Sequence, residues 1–91
     1  MMASARITIR GLVQGVGFRY FTQKRALALN LTGFVRNERN GDVYVEVEGR
    51  KDIIEDFVKQ IEKGPAFSRV RSTEVEWTEC MNKFTDFRTT E

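Results

Sequence analysis

The sequence predicts an α+β sandwich: a four-stranded antiparallel sheet with two helices on one face. Three observations predict it. Alternating apolar runs and helical stripes follow one another in the order β-α-β-β-α-β. Each helical run lies between two strand-like runs, so each can act as a crossover. Two strands are joined directly by a short link, Asn40-Gly41, the dipeptide that best accepts the positive φ of a tight hairpin.

Residues 5 to 13 alternate, with Ile7 and Ile9 on one face and Arg6, Thr8 and Arg10 on the other, as in a half-buried strand. Gly11-Leu12-Val13-Gln14-Gly15-Val16-Gly17-Phe18-Arg19 then joins strand to helix, and its close glycines leave the backbone free to curl. Phe18, Thr22, Ala26 and Leu29 form one helical face, although Arg25 lies on that face and Leu27 lies off it. Asn30, which tolerates the left-handed closing position, ends the helix. Gly33 to Glu38 is the second strand. After Asn40-Gly41, Val43, Val45 and Val47 alternate with Tyr44, Glu46 and Glu48 in the third. Ile54, Phe57, Val58 and Ile61 supply the stripe of the second helix, which Gly64-Pro65 terminates. Val70 to Thr78 is the fourth strand, and Phe84 to Phe87 leaves room for a short fifth. Phe34, Phe57 and Trp77 are expected in the core.

This is the split βαβ pattern of ferredoxin-like folds. A right-handed crossover makes strands one and two parallel, and the hairpin inserts strand three between them, giving the order 4-1-3-2. The C-terminal ends of strands one and two then share one edge of the sheet, about 9.6 Å apart. The glycine loop and Asn37 therefore face each other across a gap that fits a phosphate and a water.

Composition narrows the function. The chain of 91 residues is expected to form one domain, 1–91, without repeats or linkers. A net charge of +2 is too small to argue for nucleic acid and mildly favours a small anionic ligand. Cys80, the lone cysteine, has no internal disulfide partner and suits a reducing cytoplasm as an incidental thiol. No apolar run approaches the ~20 residues of a membrane span, and no signal peptide is evident. Histidine is absent, which removes imidazole as base, nucleophile or metal ligand. No Asp/Glu/Cys cluster with ligand spacing accompanies the loop, so neither a metal nor a cofactor is expected.

The N–H groups of the loop, from Gly15 to Arg19, can point into one hollow at a helix N-terminus, and such a hollow binds anions. Arg19 adds a planar fork of donors suited to a tetrahedral oxyanion. A Walker loop needs a lysine that these glycines lack, and a dinucleotide fingerprint needs a glycine where Tyr20 stands. A cysteine phosphatase needs its nucleophile where Val13 stands. What remains is positioning and electrostatics, the greater part of phosphoryl transfer. Asn37 can aim a water in line without taking its proton. With no general acid nearby, the leaving group departs unaided. A carboxylate, of pKa about 4, does so readily. Mixed carboxylic-phosphoric anhydrides are therefore favoured over phosphate esters.

The same nine residues resemble the Gly-x-Val-Gln-Gly-Val-x-Phe-Arg signature of acylphosphatases. Gly33-Phe34-Val35-Arg36-Asn37 with Asn40-Gly41-Asp42-Val43 is similar to that family's second block, and Gly64-Pro65 with Val70 fits its later pattern. The resemblance covers nearly the whole chain. It implies a ferredoxin-like fold and cofactor-free hydrolysis of acyl phosphates, with Arg19 binding phosphate and Asn37 orienting water. The phosphate-binding segment is then Gln14, Gly15, Val16, Gly17, Phe18 and Arg19, and inorganic phosphate is both product and competitive inhibitor. Nothing demands more than a monomer. Asn40 stands where the family often has Asp, a change that suits the same turn. The tail from Phe87 to Glu91 is more polar than the family's ending, which bears on the last strand and is expected to leave the site untouched.

The alternative is a ferredoxin-like binding module, for RNA or a small anion, without catalysis. RNA-recognition motifs carry their aromatics on the third strand, whereas here that strand offers Tyr44 flanked by Glu46 and Glu48, which repel a phosphate backbone. A carbamoyl-phosphate-handling domain of a larger maturation enzyme shares the signature. A chain of 91 residues leads us to expect the free-standing hydrolase.

Overall fold

The computed structural model describes residues 1–91. In chain order the elements are β1 (Met2–Leu12), α1 (Phe18–Ala28), β2 (Thr32–Asn37), β3 (Val43–Arg50), α2 (Lys51–Lys63), β4 (Arg69–Thr78) and β5 (Phe87–Thr90). The strands form one sheet in the order β4-β1-β3-β2-β5. The expected 4-1-3-2 arrangement is present, antiparallel throughout, and β5 extends it at the β2 edge as a parallel strand. β1 and β2 both run antiparallel to β3, so their C-terminal ends do share one edge of the sheet.

Alternation explains the layering. Ala5, Ile7 and Ile9 of β1, Val35 of β2 and Val43, Val45 and Val47 of β3 are fully buried. Registers such as Ile7↔Val45 and Val35↔Val45 put them on one face. Phe18 and Ala26 of α1, and Ile54, Phe57 and Ile61 of α2, close over that face. Full burial of each large apolar side chain contributes about 1.5–3 kcal/mol. Gly64 closes α2 at φ 66, and Asn30 follows α1 at φ 57.

Four details depart from the sequence pattern. Ala3 is buried and β1 pairs with β3 down to Met2↔Arg50, so this strand starts before residue 5. The β2–β3 link is longer than two residues. Gly41 N–H donates to Glu38 O (3.2 Å) and Glu38 N–H to Asp42 O (2.8 Å), while positive φ falls on Gly41 alone (φ 98). Asn40 instead accepts from Asp42 N–H through Oδ1 at 3.0 Å. This is a turn followed by a left-handed glycine, a longer hairpin link that needs one positive φ where the type I′ turn that Asn-Gly favours needs two.

The fifth strand is Phe87–Thr90, not Phe84–Phe87. Phe84 stacks its ring edge on Phe34, 5.8 Å away, and Phe87 alone reaches the core. Lastly, Phe57 is core as expected, but Phe34 and Trp77 are not among the buried residues. Phe34 lies on the opposite, helix-free face beside Tyr44, with ring centroids 6.0 Å apart. Trp77 sits on the edge strand β4, with Lys51 Nζ 5.2 Å from its ring. On the helix-free face the Tyr44 hydroxyl donates to Glu46 (2.9 Å), and its pKa is pushed up to about 12 by burial and then by that carboxylate.

Candidate active site

A cleft of about 320 Å³ opens at the shared edge of β1 and β2. One wall is the β1–α1 loop. At its start the register of β1 on β4 shifts between Arg10 and Gly11. A Cβ at Gly11 would collide with the Arg69 carbonyl, so glycine is required there by the close approach of β4. Val13 is buried and pins one end of the loop, and Phe18, also buried, pins the other. Between them Gly15 (φ 74) and Gly17 (φ 79) turn the backbone through left-handed conformations that a side chain would strain.

Gly17 occupies the N-cap position of α1 without any side-chain cap. The first helical N–H to find a carbonyl is that of Phe21, which donates to Gly17 O at 3.0 Å. The N–H groups from Gly15 to Tyr20 have no backbone acceptor, as the start of a helix dictates for its first residues. Of these residues Gly15, Gly17, Phe18, Arg19 and Tyr20 line the cleft, at the end of α1 where the helix dipole is positive.

Of the residues singled out from sequence, Gly15, Gly17, Phe18, Arg19 and Asn37 line the cleft. Gln14 and Val16 do not. Gln14 Nε2 donates to Glu38 O (2.7 Å) and Asp42 O (2.9 Å), strapping the loop to the β2–β3 hairpin. Val16 packs against the core and borders a separate groove with Tyr20, Phe21 and Pro65.

Arg19 is half-buried and its Nη1 donates to Thr90 O (3.1 Å). Arg6, Arg10, Arg36, Arg50 and Arg88 have carboxylate partners; Arg19, like Arg25, Arg39, Arg69 and Arg71, has none, and of these five it alone lines the cleft. No Asp or Glu lines the cleft. Asn37, the last residue of β2, pairs with buried Val43 and so faces the helix side, toward the loop. Its Oδ1 is enclosed and has no hydrogen-bond partner. Such an atom costs about 1–3 kcal/mol unless a ligand or water satisfies it.

Sequence reading missed Gln23 and Thr89, which also line the cleft. Gln23 lies four residues after Arg19 on the same flank of α1, and that spacing was the available signal. The expectation that the polar tail leaves the site untouched is overturned. Thr89 forms part of the wall, and the carbonyl of Thr90 holds the Arg19 side chain.

The acylphosphatase family profile matches residues 5–89. An acylphosphatase of Salinibacter ruber is 47% identical over 85 residues, covering 93% of this chain and 87% of its own. The crystal structure of acylphosphatase from Bacillus subtilis superposes with a TM-score of 0.95 at 34% identity, covering 100% of both chains. That of an acylphosphatase from Coxiella burnetii gives 0.92 at 32% identity, over 98% of this chain and 93% of the other. The chain belongs to the acylphosphatase family.

Proposed function

We propose that this chain hydrolyses acyl phosphates to a carboxylate and inorganic phosphate by direct attack of water on phosphorus. The observation that carries this reading is the acid-free cleft, lined by a guanidinium without a carboxylate partner and by loop residues whose N–H groups have no backbone acceptor. That arrangement suits a dianionic phosphoryl group. In this reading the N–H groups of Gly15, Gly17, Phe18 and Arg19 and the Arg19 fork hold the phosphoryl oxygens. They stabilise charge there as it redistributes in the transition state. Gln14 and Val16 serve the phosphate-binding segment by fixing its backbone, Gln14 as a strap and Val16 by packing.

Asn37 aims the water. Its place at the end of β2, in the cleft wall opposite the loop, supports this role. The water oxygen forms its bond to phosphorus as the bond to the acyl oxygen breaks. The carboxylate leaves with the electron pair, and the proton passes to solvent. No cluster of three or more acidic or thiol side chains stands ready to hold a metal, and the chain's own groups supply each role named here. The partner is then a small acyl phosphate, handled by a monomer in a reducing cytoplasm, where the free Cys80 is at home. No helix is long and apolar enough to cross a membrane. The RNA-binding alternative is opposed on the helix-free face by the Glu46 carboxylate, which accepts from the Tyr44 hydroxyl and repels a phosphate backbone.

The test is turnover of benzoyl phosphate in excess EDTA. Activity should persist, and inorganic phosphate should inhibit competitively by filling the same hollow. Complete loss with chelator, restored by Mg²⁺, would sink the reading. So would equal turnover of a phosphate monoester.

A further inference from the structure

Arg19 is the one full charge on the cleft wall, and its direction is set from an unexpected place. An arginine side chain has several rotatable bonds, so a fork aimed at phosphate needs a second support besides its own backbone. That support is the carbonyl of Thr90, the last residue of β5. β5 is four residues long, lies at the sheet edge, pairs with β2 alone and buries only Phe87. A strand so slight needs fastening before it can orient anything.

Gln23 supplies the fastening. Its Nε2 donates to Phe87 O at 3.2 Å, and its Oε1 accepts from Thr89 Oγ1 at 3.1 Å. Both ends of one carboxamide are thus held by β5, on either side of Arg88. One helical turn separates Gln23 from Arg19, so α1 grips β5 at three points along a single flank. The first of these is the guanidinium itself. The two side chains work on the same strand, one anchoring it and one resting on it.

We propose that Gln23 is a positioning residue for Arg19. By locking β5 to α1 it fixes the Thr90 carbonyl and so keeps the fork turned into the cradle. The proposal rests on the reading of Arg19 as the phosphate-binding cation. It assigns Gln23 no contact with the reacting atoms.

The experiment is a double-mutant cycle on Gln23→Met, Arg19→Ala and the pair, with inhibition by inorganic phosphate and kcat/KM for benzoyl phosphate as readouts. Methionine keeps length and packing but cannot make either hydrogen bond. Expected for Gln23→Met is an inhibition constant for phosphate raised about tenfold and a similar fall in kcat/KM, the scale of one to two ordinary hydrogen bonds. In the Arg19→Ala background the same substitution should cost almost nothing more, because the group it orients is gone. A Gln23→Met variant that loses only resistance to urea, with the phosphate inhibition constant unchanged, overturns the proposal. So does a loss that persists in full without Arg19. If Gln23→Met does not fold, Thr89→Val removes one of the two bonds and must meet the same criteria at about threefold. Failure of the underlying reading looks different: Arg19→Ala alone would then leave phosphate inhibition as it was.

Discussion

The two walls of the cleft are made in opposite ways. The β1–α1 loop presents backbone: its donors are N–H groups, and its side chains at Val13 and Phe18 point into the core as anchors. The facing wall, from the ends of β2 and β5, presents side chains: the Asn37 carboxamide and the Thr89 hydroxyl. A backbone wall needs glycines at defined places and so leaves a dense sequence motif. A side-chain wall needs only one polar residue at the end of each strand, and the fold does the rest. Arg19 belongs to the first wall by sequence and to the second by its hydrogen bond to Thr90.

Arg19→Ala therefore damages both walls and gives the largest effect. It removes the full charge of the cleft and the contact that joins α1 to the end of β5. We expect kcat/KM for benzoyl phosphate to fall by roughly 10²–10³, the scale of deleting one preorganised donor. Arg19→Lys should not restore it, since an ammonium cannot make the planar two-point contact. Near-parental turnover in a folded Arg19→Ala variant would mean that neither wall has been assigned correctly.

Asn37→Ala comes next and touches only the side-chain wall. If the carboxamide guides the water and barely contacts the phosphoryl group, kcat should drop by about 10² while KM and phosphate inhibition stay close to parental. An unchanged kcat per folded molecule, with folding checked by near-UV circular dichroism, would reduce Asn37 to a strand-end residue. If both outcomes are obtained, the two variants separate the walls by function, one binding and the other directing attack.

The same contrast explains what the sequence made legible. The loop from Gly11 to Arg19 and the sheet order were readable, because alternation, crossover handedness and glycine spacing each leave a pattern. Asn37 was readable once topology placed the end of β2 opposite the loop. β5 was not. Its residues Arg88, Thr89 and Thr90 carry no apolar alternation, since an edge strand that buries Phe87 alone needs none. The hairpin between β2 and β3 was legible, but the geometry of its turn was not, for a related reason. Asn40-Gly41 signals a turn, but Asn40 uses its side chain to bond Asp42 N–H, and composition cannot show which of its groups a residue will use. Phe34 and Trp77 are aromatic in either setting, and hydrophobicity alone does not say which face of a sheet is covered.

Gln14→Leu is the smallest perturbation and the sharpest check on the backbone wall. Gln14 stands inside the motif, yet its amide donates to Glu38 O and Asp42 O rather than into the cleft. Both carbonyls keep a second donor when the side chain is lost, Glu38 O from Gly41 N–H and Asp42 O from Glu38 N–H. No acceptor is therefore stranded, and the cost is that of the bonds alone, about 1–3 kcal/mol for two. Urea denaturation should register this loss as a lower midpoint with an unchanged slope. Activity should change little, because the N–H groups that face the cleft remain and the loop is still pinned at Val13 and Phe18. We expect kcat/KM and the phosphate inhibition constant to move by less than about fivefold, in step with a slightly looser loop. The opposite pattern, full stability with phosphate inhibition weakened tenfold or more, would make Gln14 a ligand in its own right. The backbone wall would then hold its anion partly by a side chain, and the distinction between the two walls would fall.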